Sequence, residues 1–415
     1  MVLRGLRTVV LFAAAWAVIA DAAAPPRLRY VVIVSRHGVR SPTWNAARLN
    51  QYSAQPWPDW GVAPGELTPR GRANVKLMGS YYRGWLLREH LFSSDGCGDE
   101  RHVHIRSDAE QRTRETGRAF AESLMPGCEI AVDSRSDGKD PLFSGAGKPD
   151  AALARKAVRD RELLADHLAA FDVLQFILTG GRTAPRTLTE SPAGPFATAS
   201  SLSEDLLLEY TNGMQGSDLG WGRLTKENLI QVLELHKLYA DLTRRTPYLA
   251  RARGSNLLAH ILRSLEQAES GERIPGALGN PGDAVLVLSG HDTNLSNLSG
   301  MLGLSWSLPG YQPDDTPPGG ALIFSLWRGG DARGYSVRVQ FVAQSPDQLR
   351  NLEPLTFEEP PLLQEISIPN CSGARAEEGC VWRTFKTIME KAIDPRFTEF
   401  SSYAVHDLQS EAILH

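Results

Sequence analysis

The turn Arg36-His37-Gly38-Val39-Arg40 gathers two guanidinium groups and an imidazole. A second turn, Ser289-Gly290-His291-Asp292-Thr293-Asn294, offers another histidine with a carboxylate beside it. These residue types suit chemistry on a phosphoryl group. Arginine grips phosphate oxygens with a rigid two-pronged fork, and phosphoryl transfer is catalysed largely by positioning and charge stabilisation. A neutral imidazole is a nucleophile. Arginines beside His37 should keep it neutral in mild acid, where a free imidazole of pKa about 6.5 is protonated. Asp292, near a leaving oxygen, is expected to be protonated in acid and to act as general acid. Gly38 allows close approach of backbone to the bound group. Alone, the first turn also fits a surface loop of solvated arginines; the second turn makes that alternative poor.

Both turns end short, nearly continuous apolar runs, at 28–35 (LRYVVIVS) and 284–289 (AVLVLS). Such runs suit parallel strands buried on both faces, and in open α/β sheets ligands bind beyond the carboxyl ends of strands. If the two strands are neighbours, their charged turns share one cleft. The apolar residues after Asn294 predict a helix starting there, whose N-terminal amides add anion affinity. Residues 101–106 and 336–342 alternate and predict two further strands. Between the halves, residues 153–178, 229–242 and 257–265 carry apolar side chains at helical spacing, with Thr225 and Ser255 as N-caps; residues 382–393 predict a last helix. The expected architecture is α/β: a mostly parallel sheet flanked by helices, built from 23–140 and 281–415, with a mainly helical lobe inserted at 141–280.

The chain has 415 residues, 42% of them hydrophobic, and a formal charge of −4. That length supports one large domain or a core with a second lobe, and the charge argues against a nucleic-acid binder. Arg4 and Arg7, the apolar run 8–20 and Ala20-Asp21-Ala22 read as a secretory leader over 1–22, too short to span a bilayer comfortably. No membrane attachment is expected after cleavage. The cysteines, Cys97, Cys128, Cys371 and Cys380, suit an oxidising compartment. Three pairings are open; Cys97–Cys128 with Cys371–Cys380 is preferred because the second pair closes a short loop. Zinc is disfavoured, since no C-x-x-C spacing or adjacent histidine pair occurs. His236 and His260, in apolar helical stretches, read as ordinary core-edge residues. Sequons at Asn294 and Asn297 follow Asp292 so closely that a glycan on either would block the cleft.

Arg36-His37-Gly-Val-Arg40-Ser-Pro-Thr43, paired with His291-Asp292-Thr-Asn294, resembles the histidine acid phosphatase family, in the branch of bacterial periplasmic phytases and glucose-1-phosphatases. The likeness extends over Leu67–Gly71, Gln111–Gly117, Gly220–Arg223 and Asp315–Gly320. It supports the local cysteine pairing and implies a phosphoglycerate-mutase-like core. The resemblance further implies a two-step reaction through a phosphohistidine without metal or other cofactor. His37 would be nucleophile, Arg36, Arg40, Arg114 and His291 would hold the phosphate, and Asp292 would protonate the leaving oxygen. Periodicity alone makes Arg114 one cation on a polar helix, beside Arg112 and Arg118. Thr43, Trp44, Glu110, Met214 and Asn294 are expected at the substrate side. Trp44 stands where phytases of this branch carry a lysine, so a cation for a remote phosphate is replaced by a flat apolar face. The expected activity is that of an exported, monomeric acid phosphatase acting on a small phosphomonoester, phytate first. Alternatives are a glucose-1-phosphatase or broad sugar phosphatase, a mutase-like transferase, a non-catalytic periplasmic phosphate-binding protein and a metal-dependent hydrolase.

Overall fold

The computed structural model describes residues 24–93, 96–136, 138–159, 167–330, 334–371 and 379–400; the expected leader at 1–22 lies outside them. In chain order the elements are β1 (Ala24–Arg36), α1 (Ala46–Leu49), α2 (Pro69–Arg88), β2 (Val103–Ser107), α3 (Gln111–Leu124) and β3 (Val132–Ser134). Helices α4 (Pro141–Ser144), α5 (Ala151–Arg159), α6 (Leu168–Thr179), α7 (Pro195–Thr211), α8 (Lys226–Ala240) and α9 (Pro247–Ser270) follow. The chain then forms β4 (Val285–Gly290), α10 (Asp292–Leu302), β5 (Ala321–Gly330), β6 (Tyr335–Ala343), α11 (Pro346–Asn351), β7 (Leu362–Ile366), β8 (Cys380–Val381) and α12 (Trp382–Ala392). Four predicted strands are present, β1, β4, β2 and β6, and a helix does begin after β4. Thr225 caps α8 as expected, accepting from the Asn228 amide. Ser255 does not cap: it lies inside α9 and accepts from the Asp394 amide.

The strands form one sheet in the order β3-β2-β4-β1-β5-β6-β7, with β8 on β6. The sheet is mixed rather than mostly parallel. Strands β3, β2, β4 and β1 are mutually parallel, whereas β5, β6, β7 and β8 pair antiparallel. Connection length accounts for one antiparallel pair, β5–β6. Parallel neighbours need long crossovers, while β5 and β6 are separated by only a few residues and fold back as a hairpin. The parallel half carries the two charged turns. In the β1–β4 register Arg36 lies opposite Gly290, so both turns leave adjacent strand ends.

Alternate residues of β1 face opposite sides. Tyr30, Val32 and Val34 pack with β4, α9, α10 and α12; Val31 and Ile33 pack with α2 and α3. Each fully buried aliphatic side chain contributes about 1.5–3 kcal/mol, which is why the run is continuously apolar. A third cluster joins α6, α7 and α8 to Leu49, Tyr52 and Trp57. Helix α9 belongs with the sheet cluster. Both expected disulfides, Cys97–Cys128 and Cys371–Cys380, are formed.

Two glycines seat the first turn on α2. A methyl group on Gly71 would lie 2.0 Å from the Val39 carbonyl oxygen, and one on Gly38 would lie 2.7 Å from the Gly71 oxygen. Backbone cannot give way as a flexible side chain would. Gly71→Ala is therefore expected to cost about 2–3 kcal/mol. Its denaturation midpoint should drop, and turnover per folded molecule should fall because the displaced turn carries His37; an unchanged midpoint would contradict this packing.

Candidate active site

Four segments are stitched together by main-chain bonds where the parallel strands end. The amide of Arg36 donates to Gly320 O and that of His37 to Gly290 O, both at 2.9 Å. Asp108, just beyond β2, donates to Ser289 O at 3.0 Å, and Gly319 donates to His37 O at 3.0 Å. Side chains from separate parts of the chain are thereby fixed around a cavity of about 320 Å³. His37 and Arg40 line it from the first turn, and His291, Asp292 and Thr293 from the second. Asp108 and Glu110 enter from the turn between β2 and α3, Arg112 from the first turn of α3, Glu204 from α7, and Arg244 from a π-helical turn at Asp241–Arg245. Lys139, Phe143 and Ser144 complete the rim.

His37 is 2% exposed. Its Nδ1 lies 2.8 Å from Gly38 O. A carbonyl only accepts, so Nδ1 carries the proton and Nε2 keeps a free lone pair. Burial, then Arg112, Arg36, Arg40 and His291, hold its pKa well below the usual histidine range. The ring is edge-on to His291, with centroids 5.6 Å apart. Burial works against a charged His291, yet hydrogen bonds to Asp108 (2.7 Å from Nε2) and Glu110 (3.3 Å) prevail and raise its pKa.

Arg36, 1% exposed, donates to Thr316 O at 2.5 Å and pairs with Glu204 Oε1. Arg40 reaches Glu204 Oε2 at 3.1 Å. Burial raises the Glu204 pKa, but Arg40 and Arg36 overcome it and hold the group at about 2. One carboxylate thus clamps two guanidinium groups. Arg36 Nε and Arg112 Nε remain buried donors with no hydrogen-bond partner. Buried donors are rarely left unpaired; Arg112 lines the cavity, where an anion would satisfy it, whereas Arg36 is not among the lining residues. Lys139, alone among the described cations of this cavity, forms no ion pair with a described carboxylate.

Several expectations change. Arg112, not Arg114, faces the cavity. Two residues along a helix rotate a side chain by about 200°, and Arg114 turns back to donate to Ala109 O. Asn294 is 2% exposed and serves the backbone, accepting from the His291 amide at 2.8 Å and donating to Phe143 O at 2.7 Å; it positions His291 instead of facing substrate. Asn294 and Asn297 are both buried, which removes them as glycan acceptors. Thr43, Trp44 and Met214 do not line the cavity. One face of Trp44 is covered by the Arg48 guanidinium, 3.6 Å from the ring centroid. Asp292 is a carboxylate in the substrate-free protein: burial pushes its pKa up, but Arg244, Arg36 and His236 hold it well below the usual range.

Asp108, Arg112, Glu204 and Arg244 join the site without having been singled out by sequence. Glu204 had little signal of its own, since α7 also carries Asp205, Glu209 and several serines and threonines. His236, expected at a core edge, is buried with Nε2 3.8 Å from Asp292.

Residues 27–167 and 190–342 match the family model of the histidine phosphatase superfamily (branch 2). The chain is 34% identical over 410 residues to phytase AppA of Escherichia coli (strain K12), covering 89% of this chain and 93% of that one. It is 28% identical over 393 residues to a glucose-1-phosphatase of Salmonella typhimurium, covering 88% and 92%. Among solved structures, Hafnia alvei phytase in complex with myo-inositol hexakis sulphate superposes with a TM-score of 0.82 at 33% identity, covering 91% of this chain and all of that one.

Proposed function

The chain belongs to the histidine phosphatase superfamily (branch 2), and on that premise we propose that it is an acid phosphatase hydrolysing phosphomonoesters through a phosphohistidine, with phytate as its preferred substrate. The observation that carries this is His37: Nδ1 is committed to Gly38 O, and Nε2 is free in a cavity ringed by guanidinium groups. In the first step Nε2 forms a bond to phosphorus, the ester P–O bond breaks, and Asp292 delivers a proton to the leaving oxygen. In the second, water attacks the phosphohistidine and Asp292 takes a proton from it. Arg36, Arg40 and Arg112 hold the non-bridging oxygens, and His291, kept cationic by Asp108 and Glu110, adds charge beside His37. Phytate is favoured by the phytase relatives and by Lys139, a cation still available to a second phosphate. Small sugar phosphates are the second reading, supported by the glucose-1-phosphatase relative.

The chain divides into an α/β core of 23–140 and 281–415 and an inserted segment, 141–280, whose α4 and α9 pack on the sheet and whose α7, α8 and π-turn supply Glu204, His236 and Arg244. The leader and the two disulfides support export to a periplasm or beyond. No helix of the described residues is long and apolar enough to cross a membrane.

Phosphate release in acid with EDTA present, compared across phytate, glucose-1-phosphate and an aryl phosphate, tests the proposal. Preference for phytate supports it; release only from the small esters selects the sugar-phosphatase reading, and loss of release with EDTA contradicts both. Arg112→Gln should lower kcat/KM by about 10–100-fold, the worth of a charge-assisted contact, whereas Arg114→Gln should stay within about threefold; the reverse order would restore Arg114. The acid limb of kcat/KM follows protonation of His37. Because its pKa is depressed, activity should persist well below about pH 6.5 and fall only as pH drops through the lowered value. A limb at the ordinary histidine value would contradict this.

A further inference from the structure

Asp292 Oδ2 meets two groups of opposite habit: Arg244 Nη1, which cannot give up a proton, and His236 Nε2, 3.8 Å away, which can. His236 is 4% exposed. Its Nδ1 lies 3.2 Å from Ser200 O and 3.0 Å from Ser200 Oγ, and bonding to the carbonyl requires a proton on Nδ1. Nε2 has no hydrogen-bond partner although it is buried, a state that costs about 1–3 kcal/mol. The acidic groups around this ring are Asp292, Glu204 from α7, and Asp315 from the loop before β5, whose pKa burial raises. Asp292 is faced in turn by Arg36 from β1, Arg112 from α3 and Arg244 from the π-turn. The cluster Glu204-His236-Asp292 has the reach of a metal site, but Arg36, Arg40 and Arg244 already pair with its carboxylates.

We propose that His236 supplies the proton that Asp292 delivers to the leaving oxygen. The inference rests on the role proposed above for Asp292. In the free enzyme the proton sits on His236 Nε2 and Asp292 is a carboxylate held by Arg244. An arriving phosphate competes with Asp292 for Arg36 and Arg244. Asp292 then needs a shift of about 1 Å to reach hydrogen-bond distance of Nε2. The Nε2–H bond breaks and an Oδ2–H bond forms. That proton passes to the leaving oxygen as the ester bond breaks, leaving Asp292 a carboxylate and His236 neutral. Attack of water on the phosphohistidine returns one proton through Asp292 to His236, so each turnover balances. His236 never touches substrate; it is a positioning residue for the proton.

His236→Asn keeps an amide donor toward Ser200 and removes Nε2. The test compares kcat/KM for phytate, whose alkoxide leaving group needs a proton, with 4-nitrophenyl phosphate, whose leaving group does not. The expected result is about a tenfold loss or more on phytate with the aryl ester changed by less than about twofold. Equal losses on both, or none on phytate, overturn the proposal. Should the variant not fold, ring-¹⁵N NMR of the wild-type protein in acid decides. Both His236 nitrogens should be protonated in the free enzyme, and a neutral ring there overturns the proposal. A wild type that hydrolyses neither ester overturns the phosphatase reading first, and the role of His236 with it.

Discussion

Replacing His37 by Ala is expected to lower kcat by about 10⁵-fold or more, the scale seen when a nucleophile is removed, while inorganic phosphate still binds. The two effects separate because the binding groups are anchored independently of the imidazole. Arg36 is held by Thr316 O and Glu204, Arg40 by Glu204 and Ser41 O, and none of these bonds runs through His37. The variant should also fold, since it removes a side chain whose charged form the surrounding cations oppose. Steady-state kinetics with a phosphate-binding titration gives both numbers. Residual turnover within about a hundredfold of wild type would mean that water attacks the ester directly and that His37 is a bystander.

Asp292→Asn should divide substrates by leaving group. For phytate, kcat/KM is expected to fall by about 10²–10⁴-fold, the usual worth of a general acid. For 4-nitrophenyl phosphate the loss should be much smaller. Binding should not weaken, because the substitution frees Arg244 from its ion pair and leaves it available to an anion. Stability should suffer instead: removing one partner of a buried pair costs about 3–5 kcal/mol. Thermal denaturation with and without phosphate checks this, and phosphate should recover part of the loss. A uniform drop on both esters would assign Asp292 an electrostatic role and remove it as the proton donor.

What sequence could and could not supply follows from the range of each signal. The two apolar runs and their Arg-His and His-Asp ends are local, and they identified both strands and both turns. Their adjacency was conditional, because the β1–β4 register is a long-range fact. The antiparallel half has a local mark, glycines at 329, 330 and 334 between two strand-like runs, which outweighs the parallel expectation. Arg112 and Arg114 could not be separated without knowing where α3 starts, since two residues decide which face a side chain takes. Asn294 sits beside the acid in sequence, yet its place three residues into a helix start is that of a capping partner. Arg244 was out of reach: nothing in Asp241–Arg245 announces the π-helical turn that points it at Asp292. That omission explains why Asp292 was expected simply to be protonated in acid.

The central claim is a covalent bond between phosphorus and His37 Nε2. Mixing enzyme with a ³²P-labelled phosphomonoester, quenching in alkali within the first turnover and mapping the labelled peptide tests it most directly. The account predicts a base-stable, acid-labile phosphoramidate on the peptide carrying His37. Full turnover with no label on that peptide, together with inversion of configuration at a chiral phosphate, would show a single displacement by water and contradict it.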